Sequence, residues 1–366
     1  MARFTQRKFT AARRRPRIAP VALLVIGGVV AGCTTSTASS PSTKASSGNS
    51  AAAACAVTPV ANQVVPSVVT IAATGPDGSG TGSGEVIRSD GYILTNNHVI
   101  SIAAASGGSV EVQFSDGQTS PATITGRDPQ TDLAVLKIQT SRKLKVIALS
   151  KSSSLQVGQP VVAIGAPLGL SGTVTSGIVS ALNRTVEVPG DNDKLALLVS
   201  AVQTDAAINP GNSGGALVNC ESQLVGVPTA GAQVPSPSGQ SGGGSIGLGF
   251  AIPVDLAKSI ADEIISTGKV THAYFGLQTV PIPPAAAAQA GVPDGLFVQA
   301  VSAAGPAAQA GLRPNDVVTK VNDQPATSNV QLQELTLTKK PGDTVPITYE
   351  RNGRSAKATV TLIAQP

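Results

Sequence analysis

The chemistry open to this chain turns on a scarce residue. It has only two histidines, His98 and His272. Acyl transfer through a serine needs a base to take the hydroxyl proton and a carboxylate to orient that base. It also needs amide donors aimed at the developing oxyanion. His98 stands in Tyr92-Ile93-Leu94-Thr95-Asn96-Asn97-His98-Val99-Ile100, an apolar strand running into a polar turn. Asp132 opens the apolar run Leu133-Ala134-Val135-Leu136, which predicts a half-buried carboxylate. Ser213 stands in Asn209-Pro210-Gly211-Asn212-Ser213-Gly214-Gly215, where glycines on both sides allow a sharp bend and close approach. The same bend lets the amides of Gly211 and Ser213 converge as oxyanion donors. Each residue alone has a plainer reading: a surface or core His, a turn-capping Asp, a Gly-rich loop. In this order within one β-rich unit they read as base, orienter and nucleophile. His272 falls between two folded units, so a triad in the first unit has only His98 to use.

The elements that must hold these residues are short. β-branched runs separated by Gly, Asp, Asn and Ser appear at 67–73, 85–88, 92–95, 110–114, 134–139, 161–165 and 224–227. Such spacing indicates an all-β sandwich or a pair of barrels, and the chain order His, Asp, Ser is that of chymotrypsin-like folds. With six Phe, three Tyr and no Trp, the core must come from Val, Ile, Leu and Ala. The Gly/Ser/Pro-rich stretch 229–246 reads as a mobile loop. Leu256, Ile260, Ile264 and Ile265 have helical spacing over 254–267, with Gly268 as a stop. These boundaries give a first domain at 57–268 and a second at 272–366. In the second, strands are expected at 296–300, 317–321, 345–350 and 356–362, with a helix after Asn329 and a short one near 305–310.

The amino-terminal end reads as an address. Residues 1–32 carry seven of the basic residues and no acid, so the formal charge of +5 becomes −2 once they are set aside. No nucleic-acid signal remains. A basic stretch followed by an apolar run from Ile18 to Gly32 is the pattern of a secretory signal peptide. Val30-Ala31-Gly32-Cys33 resembles a bacterial lipobox, which implies lipidation of Cys33 and attachment to the outer face of the cell membrane. An uncleaved anchor and a soluble secreted product, periplasmic or released, are the alternatives. Residues 33–56, rich in Ser, Thr and Ala, predict a flexible tether. Cys55 and Cys220 then remain, as a disulfide pinning the tether to the folded body or as two free thiols.

Gly82-Ser83-Gly84, 94–99, 132–136, 165–181, 203–219 and Gly249-Phe250-Ala251-Ile252-Pro253 together resemble the HtrA (Deg) family of serine proteases over about residues 57–366. The resemblance implies a mainly β protein: a chymotrypsin-like double β-barrel with the site in its cleft, then a PDZ domain. It implies His98 as general base, Asp132 as its orienter and Ser213 as nucleophile, with the Gly211 and Ser213 amides as the oxyanion hole. No metal or cofactor is implied, and two histidines do not make an ordinary zinc site. Tyr274-Phe275-Gly276-Leu277 resembles a PDZ carboxylate-binding loop, which implies capture of peptide C-termini by strand addition. Ala207 and Ile208 predict a small apolar S1 site and cleavage after small or branched apolar residues. Asn212 precedes the nucleophile, and an amide cannot pair with a cut amino terminus, so control passes to loops around 167–175 and 185–194.

Glu85 stands where the family usually has an apolar residue. The short loop 75–80 and a single PDZ domain favour a homotrimer. The leading expectation is an ATP-independent envelope endopeptidase acting on misfolded or regulatory proteins. Against it stands a lipid-tethered peptide-binding scaffold or chaperone with a resting triad. A secreted esterase using the same triad is disfavoured by the chain order and the PDZ-like tail.

Overall fold

The computed structural model describes residues 55–166, 172–191, 194–235 and 241–366, all within one compact unit, Ala51–Pro366. The expected signal segment, Cys33 and nearly all of the expected 33–56 tether lie outside the described residues. Among the described residues no helix is long and apolar enough to cross a membrane.

Helix α1 (Val57–Val64) leads the fold, burying Val60 and Val64 against the second barrel. The first barrel comprises β1 (Val68–Gly75), β2 (Gly78–Val86), β3 (Tyr92–Thr95), β4 (Ser109–Gln113), β5 (Thr119–Asp128) and β6 (Leu133–Ile138). It closes in the order β1-β2-β3-β6-β5-β4. The strands alternate: Val110 and Val112 of β4 point inward between exposed Ser109 and Glu111. They meet Ile71, Ile93 and Leu136 in one cluster. Each such side chain contributes about 1.5–3 kcal/mol when fully buried, which is how a core poor in aromatics holds. Between β3 and β4 lies the one-turn helix α2 (Asn97–Ile100).

β7 (Ala148–Leu149) pairs alongside the second barrel. The barrel strands are β8 (Pro160–Gly165), β9 (Thr173–Pro189), β10 (Leu195–Thr204), β11 (Ala216–Val218), β12 (Gln223–Pro235) and β13 (Ser241–Pro253). They run in the order β11-β8-β9-β10-β13-β12, and a β11–β12 pairing closes the ring. The expected loop at 229–246 is corrected here: its described residues extend β12 and β13 into a hairpin, because cross-strand pairing from Gly226↔Pro253 to Pro235↔Ser241 overrides the weak strand propensity of Gly, Ser and Pro. Likewise β9 runs through 173–175 and 185–189, parts of the two expected control loops, of which residues 167–171 and 192–193 are not described.

Helix α3 (Val254–Thr267) ends the protease-like half, burying Val254, Ala257, Ile260, Ala261 and Ile264. Its apolar face packs on Leu133, Val135 and Ile252 at the junction of the two barrels. Cys55 and Cys220 are joined as a disulfide, with Cα atoms 5.3 Å apart, fastening the start of α1 to the β11–β12 turn.

The second half contains β14 (Ala273–Tyr274), β15 (Leu277–Ile282), β16 (Gly295–Val301), β17 (Val317–Val321), β18 (Gln324–Pro325), β19 (Thr344–Arg351), β20 (Arg354–Thr361) and β21 (Ile363–Ala364). Its helices are α4 (Pro284–Ala290), α5 (Pro306–Gln309) and α6 (Asn329–Thr338). The main sheet runs β15-β16-β17-β19-β20, so β15 is an edge strand. A capping box between Ser328 and Gln331 starts α6. Leu337 and Val330 of α6 pack on Leu197 and Val199 of β10, joining the halves. A second link is buried: His272 Nε2 lies 2.9 Å from Asp128 Oδ1, the two side chains being 6% and 3% exposed. Those values explain why the second histidine is unavailable to the cleft.

Candidate active site

The carboxylate is positioned first. Asp132 has φ of +57°, a left-handed conformation that Asp tolerates better than most residues. The turn is held from α2: the Asp132 carbonyl accepts from the Asn97 amide at 3.1 Å and from Asn96 Nδ2 at 2.8 Å. Oδ1 accepts from the His98 amide at 2.9 Å, while Oδ2 lies 2.8 Å from His98 Nδ1 and accepts from Thr229 Oγ1 at 3.0 Å. Asp132 is 2% exposed, so this charge depends on those donors. With Nδ1–H given to the carboxylate, Nε2 carries the free lone pair that a general base needs.

Burial pulls the His98 pKa down, but the Asp132 hydrogen bond, the Asp132 charge and the Asp191 charge outweigh it, so the net shift is upward. That favours the imidazolium formed when the base accepts a proton. Asp191 reaches the site through a polar cluster: it accepts from Asn97 Nδ2 at 3.0 Å and pairs with Arg127. Arg127 also donates to Asn97 Oδ1 at 3.1 Å.

Ser213 and His98 line one cavity of about 360 Å³ with Thr81, Ile208, Gly211, Thr229 and Gly231. The Ser213 hydroxyl donates to the Thr229 carbonyl at 3.4 Å, and no described hydrogen bond joins it to His98. Rotation of this hydroxyl about its side-chain bond is what would turn it toward Nε2.

Residues 209–212 form a β-turn closed by the Asn212 amide and the Asn209 carbonyl at 3.0 Å. Pro210 occupies its second position and Gly211, at φ +97°, its third, the arrangement of a type II turn. Neither the Gly211 nor the Ser213 amide donates to an acceptor among the described residues, so both are unengaged donors beside the cavity. Ser83 braces this turn, its Oγ donating to the Gly211 carbonyl at 2.6 Å and accepting from the Ala166 amide at 2.8 Å. Gly214 permits the approach of β2: its φ is +77°, and a Cβ there would lie 2.3 Å from the Ser83 carbonyl.

Of the two expected S1 residues, Ile208 lines the cavity and Ala207 does not. The Ala207 carbonyl is held by Thr175 Oγ1 at 3.0 Å and by Asn212 Nδ2 at 3.2 Å, so it supports the turn from behind. Tyr274, Phe275, Gly276 and Leu277 line a separate groove of about 400 Å³ with Thr279, Asn329, Leu332 and Thr336. Thr229, Ser83, Asn97, Arg127 and Asp191 carried no role in the sequence reading. Thr229 lay in a presumed loop, and the others act through distant partners. Among the described residues no group of three or more His, Cys, Asp or Glu side chains is placed to hold a metal ion.

Comparisons with known proteins agree with this fold. Residues 82–227 match the trypsin-like peptidase domain family and residues 273–362 the PDZ domain family. The serine protease PepD of Mycobacterium tuberculosis is 48% identical over 313 residues, which cover 84% of this chain and 66% of that protein. The periplasmic pH-dependent serine endoprotease DegQ of Escherichia coli is 41% identical over 286 residues, 77% of this chain and 59% of that protein. The chain thus spans about three fifths to two thirds of these curated relatives. The solved HtrA-type protease AlgW with decapeptide superposes with a TM-score of 0.67 at 33% identity, covering 84% of this chain and 98% of that one. A trypsin-like double barrel followed by one PDZ domain, with relatives of this identity and coverage, places the chain in the HtrA family of serine proteases.

Proposed function

We propose that this protein is an ATP-independent serine endopeptidase of the bacterial cell envelope, cleaving misfolded or regulatory proteins after small apolar residues. The observation that carries the reading is the His98–Asp132 pair at 2.8 Å facing Ser213 across one cavity, with two amides free beside it. His98 takes the Ser213 proton and Oγ attacks the scissile carbonyl. The Gly211 and Ser213 amides receive the oxyanion, and His98 then returns the proton to the leaving amine. Ile208 and the Gly231 backbone shape a site suited to Val, Ala, Ile or Leu. The Tyr274–Leu277 loop receives the carboxylate of a peptide C-terminus, which adds as a strand to the edge of β15.

Export follows from the basic and apolar leader and from the periplasmic relative. Lipidation of Cys33, and with it a membrane tether, rests on the lipobox alone. A homotrimer rests on the family resemblance.

Casein hydrolysis by the mature protein beside Ser213→Ala tests the enzymatic reading. The variant is expected to lose essentially all turnover, on the order of 10⁶-fold in kcat; equal turnover in the two ends the reading. One observation favours a second role as a resting, peptide-binding scaffold or chaperone: Ser213 Oγ is turned to Thr229 rather than to His98. Suppression of aggregation by Ser213→Ala, undiminished relative to the parent, supports that role beside proteolysis.

A further inference from the structure

The peptide groove is bridged by a side chain. Asn329, the first residue of α6, donates from Nδ2 to the Thr279 carbonyl at 2.8 Å, and its Oδ1 accepts from the Thr279 hydroxyl at 2.6 Å. Both residues line the same groove as the Tyr274–Leu277 loop. β15 is the edge strand of its sheet, so its outer main-chain groups are the ones an added strand pairs with. The Thr279 carbonyl belongs to that outer set, since Asn329 reaches it from α6 and not from β16. Main-chain direction alternates along a strand, so Pro281 turns its backbone the same way. Pro281 has no N–H to offer, and the outer side of an edge strand is where a sheet tolerates that loss. By the same alternation Leu277 also faces outward, so a peptide whose carboxylate sits at the 275–277 amides meets two outward carbonyls, those of Leu277 and Thr279, before the donors end at Pro281. Asn329 already occupies that of Thr279.

We propose that Asn329 is a latch on the groove, and that a peptide C-terminus adds as a strand only after the Asn329 carboxamide releases Thr279. The latch rests on the peptide-binding reading given above and adds a sign to it. Asn329 competes with the ligand, so its removal strengthens binding, whereas removal of a ligand contact weakens it.

The test is fluorescence anisotropy with labelled pentapeptides ending in Val, Phe or Ala, each as free acid and as amide. They are titrated into the full chain carrying Ser213→Ala, which cannot cut them. Asn329→Ala is expected to lower Kd for the free acids about three- to tenfold, the equivalent of about one net hydrogen bond no longer broken on binding. Thr279→Val removes only the hydroxyl partner and is expected to lower Kd by less. The α6 cap belongs to Ser328 and Gln331, so both variants keep it; should Asn329→Ala fail to fold, Thr279→Val decides by the same sign. Unchanged or weaker binding by the variants, with the parent binding free acids, overturns the latch. If no protein prefers a free acid to its amide, the peptide-groove reading itself falls and the latch with it.

Discussion

Replacing Glu85 with Gln should remove a pH-dependent weakness from the seam between the barrels. Glu85 is fully buried in β2, opposite Val68 on one side and Leu94 on the other, and neither carboxylate oxygen has a hydrogen-bond partner. Desolvation raises its pKa well above the ordinary 4.5, with only partial opposition from its own nearby backbone amide. In the unfolded chain the carboxyl ionises near that ordinary value. Between it and the raised folded pKa, the native state holds a proton that the unfolded state has lost. Stability therefore falls as pH rises through this window, by up to about 1.4 kcal/mol per pH unit. Above the folded pKa the loss is complete; below the ordinary value it is absent. Urea unfolding of the Ser213→Ala protein, with and without Glu85→Gln, across pH 4 to 9 measures it. The stability gap in favour of Gln should widen with pH inside the window and level off beyond it. Glu85→Leu, which also removes the unpartnered oxygens, should add about 1–3 kcal/mol at every pH. A gap that stays constant from pH 4 to 9 would refute the reasoning, because it would mean that Glu85 has the same pKa folded and unfolded.

Two further outcomes follow from the cleft. Gly211→Ala places a Cβ at φ +97° and drives the turn away from type II, turning one oxyanion amide aside. kcat should fall about 10²- to 10³-fold with the His98 titration unmoved, and an unchanged kcat would remove Gly211 from the oxyanion role. Asp191→Asn removes one of the negative charges that raise the His98 pKa. The acid limb of kcat/KM should move to lower pH, because His98 must be neutral to act as base; a limb that stays put removes Asp191 from the electrostatics of the site.

The parts of this protein that were legible in its residues are local. β3 at 92–95, α3 at 254–267 with its Gly268 stop, and β17 at 317–321 each carry their pattern within a few positions. His98, Asp132 and Ser213, which the structure brings around one cavity, stood out in the sequence through scarcity and order: one usable histidine, one acid opening an apolar strand, one serine among glycines. Glu85 was visible as an anomaly, but nothing in its neighbours along the chain says that both sides of the strand are closed. The strands at 229–235 and 241–246 run against the sequence expectation, since composition speaks for a loop and only the facing strand speaks against it. Ala207 was placed in the substrate site by adjacency to Ser213, whereas the backbone turns it behind.

The amino-acid order alone determined which groups could do chemistry and the class of fold able to carry them, because these depend on residue identity and short-range periodicity. Tertiary structure alone decided what those groups touch. Thr229 bonded to Asp132, Ser83 bracing the 209–212 turn, Asp191 held beside His98 through Asn97 and Asn329 bonded to Thr279 across the groove each join positions about 50 to 130 residues apart. Such contacts depend on how two barrels and a third sheet pack, and no local pattern along the chain encodes a distance between faces.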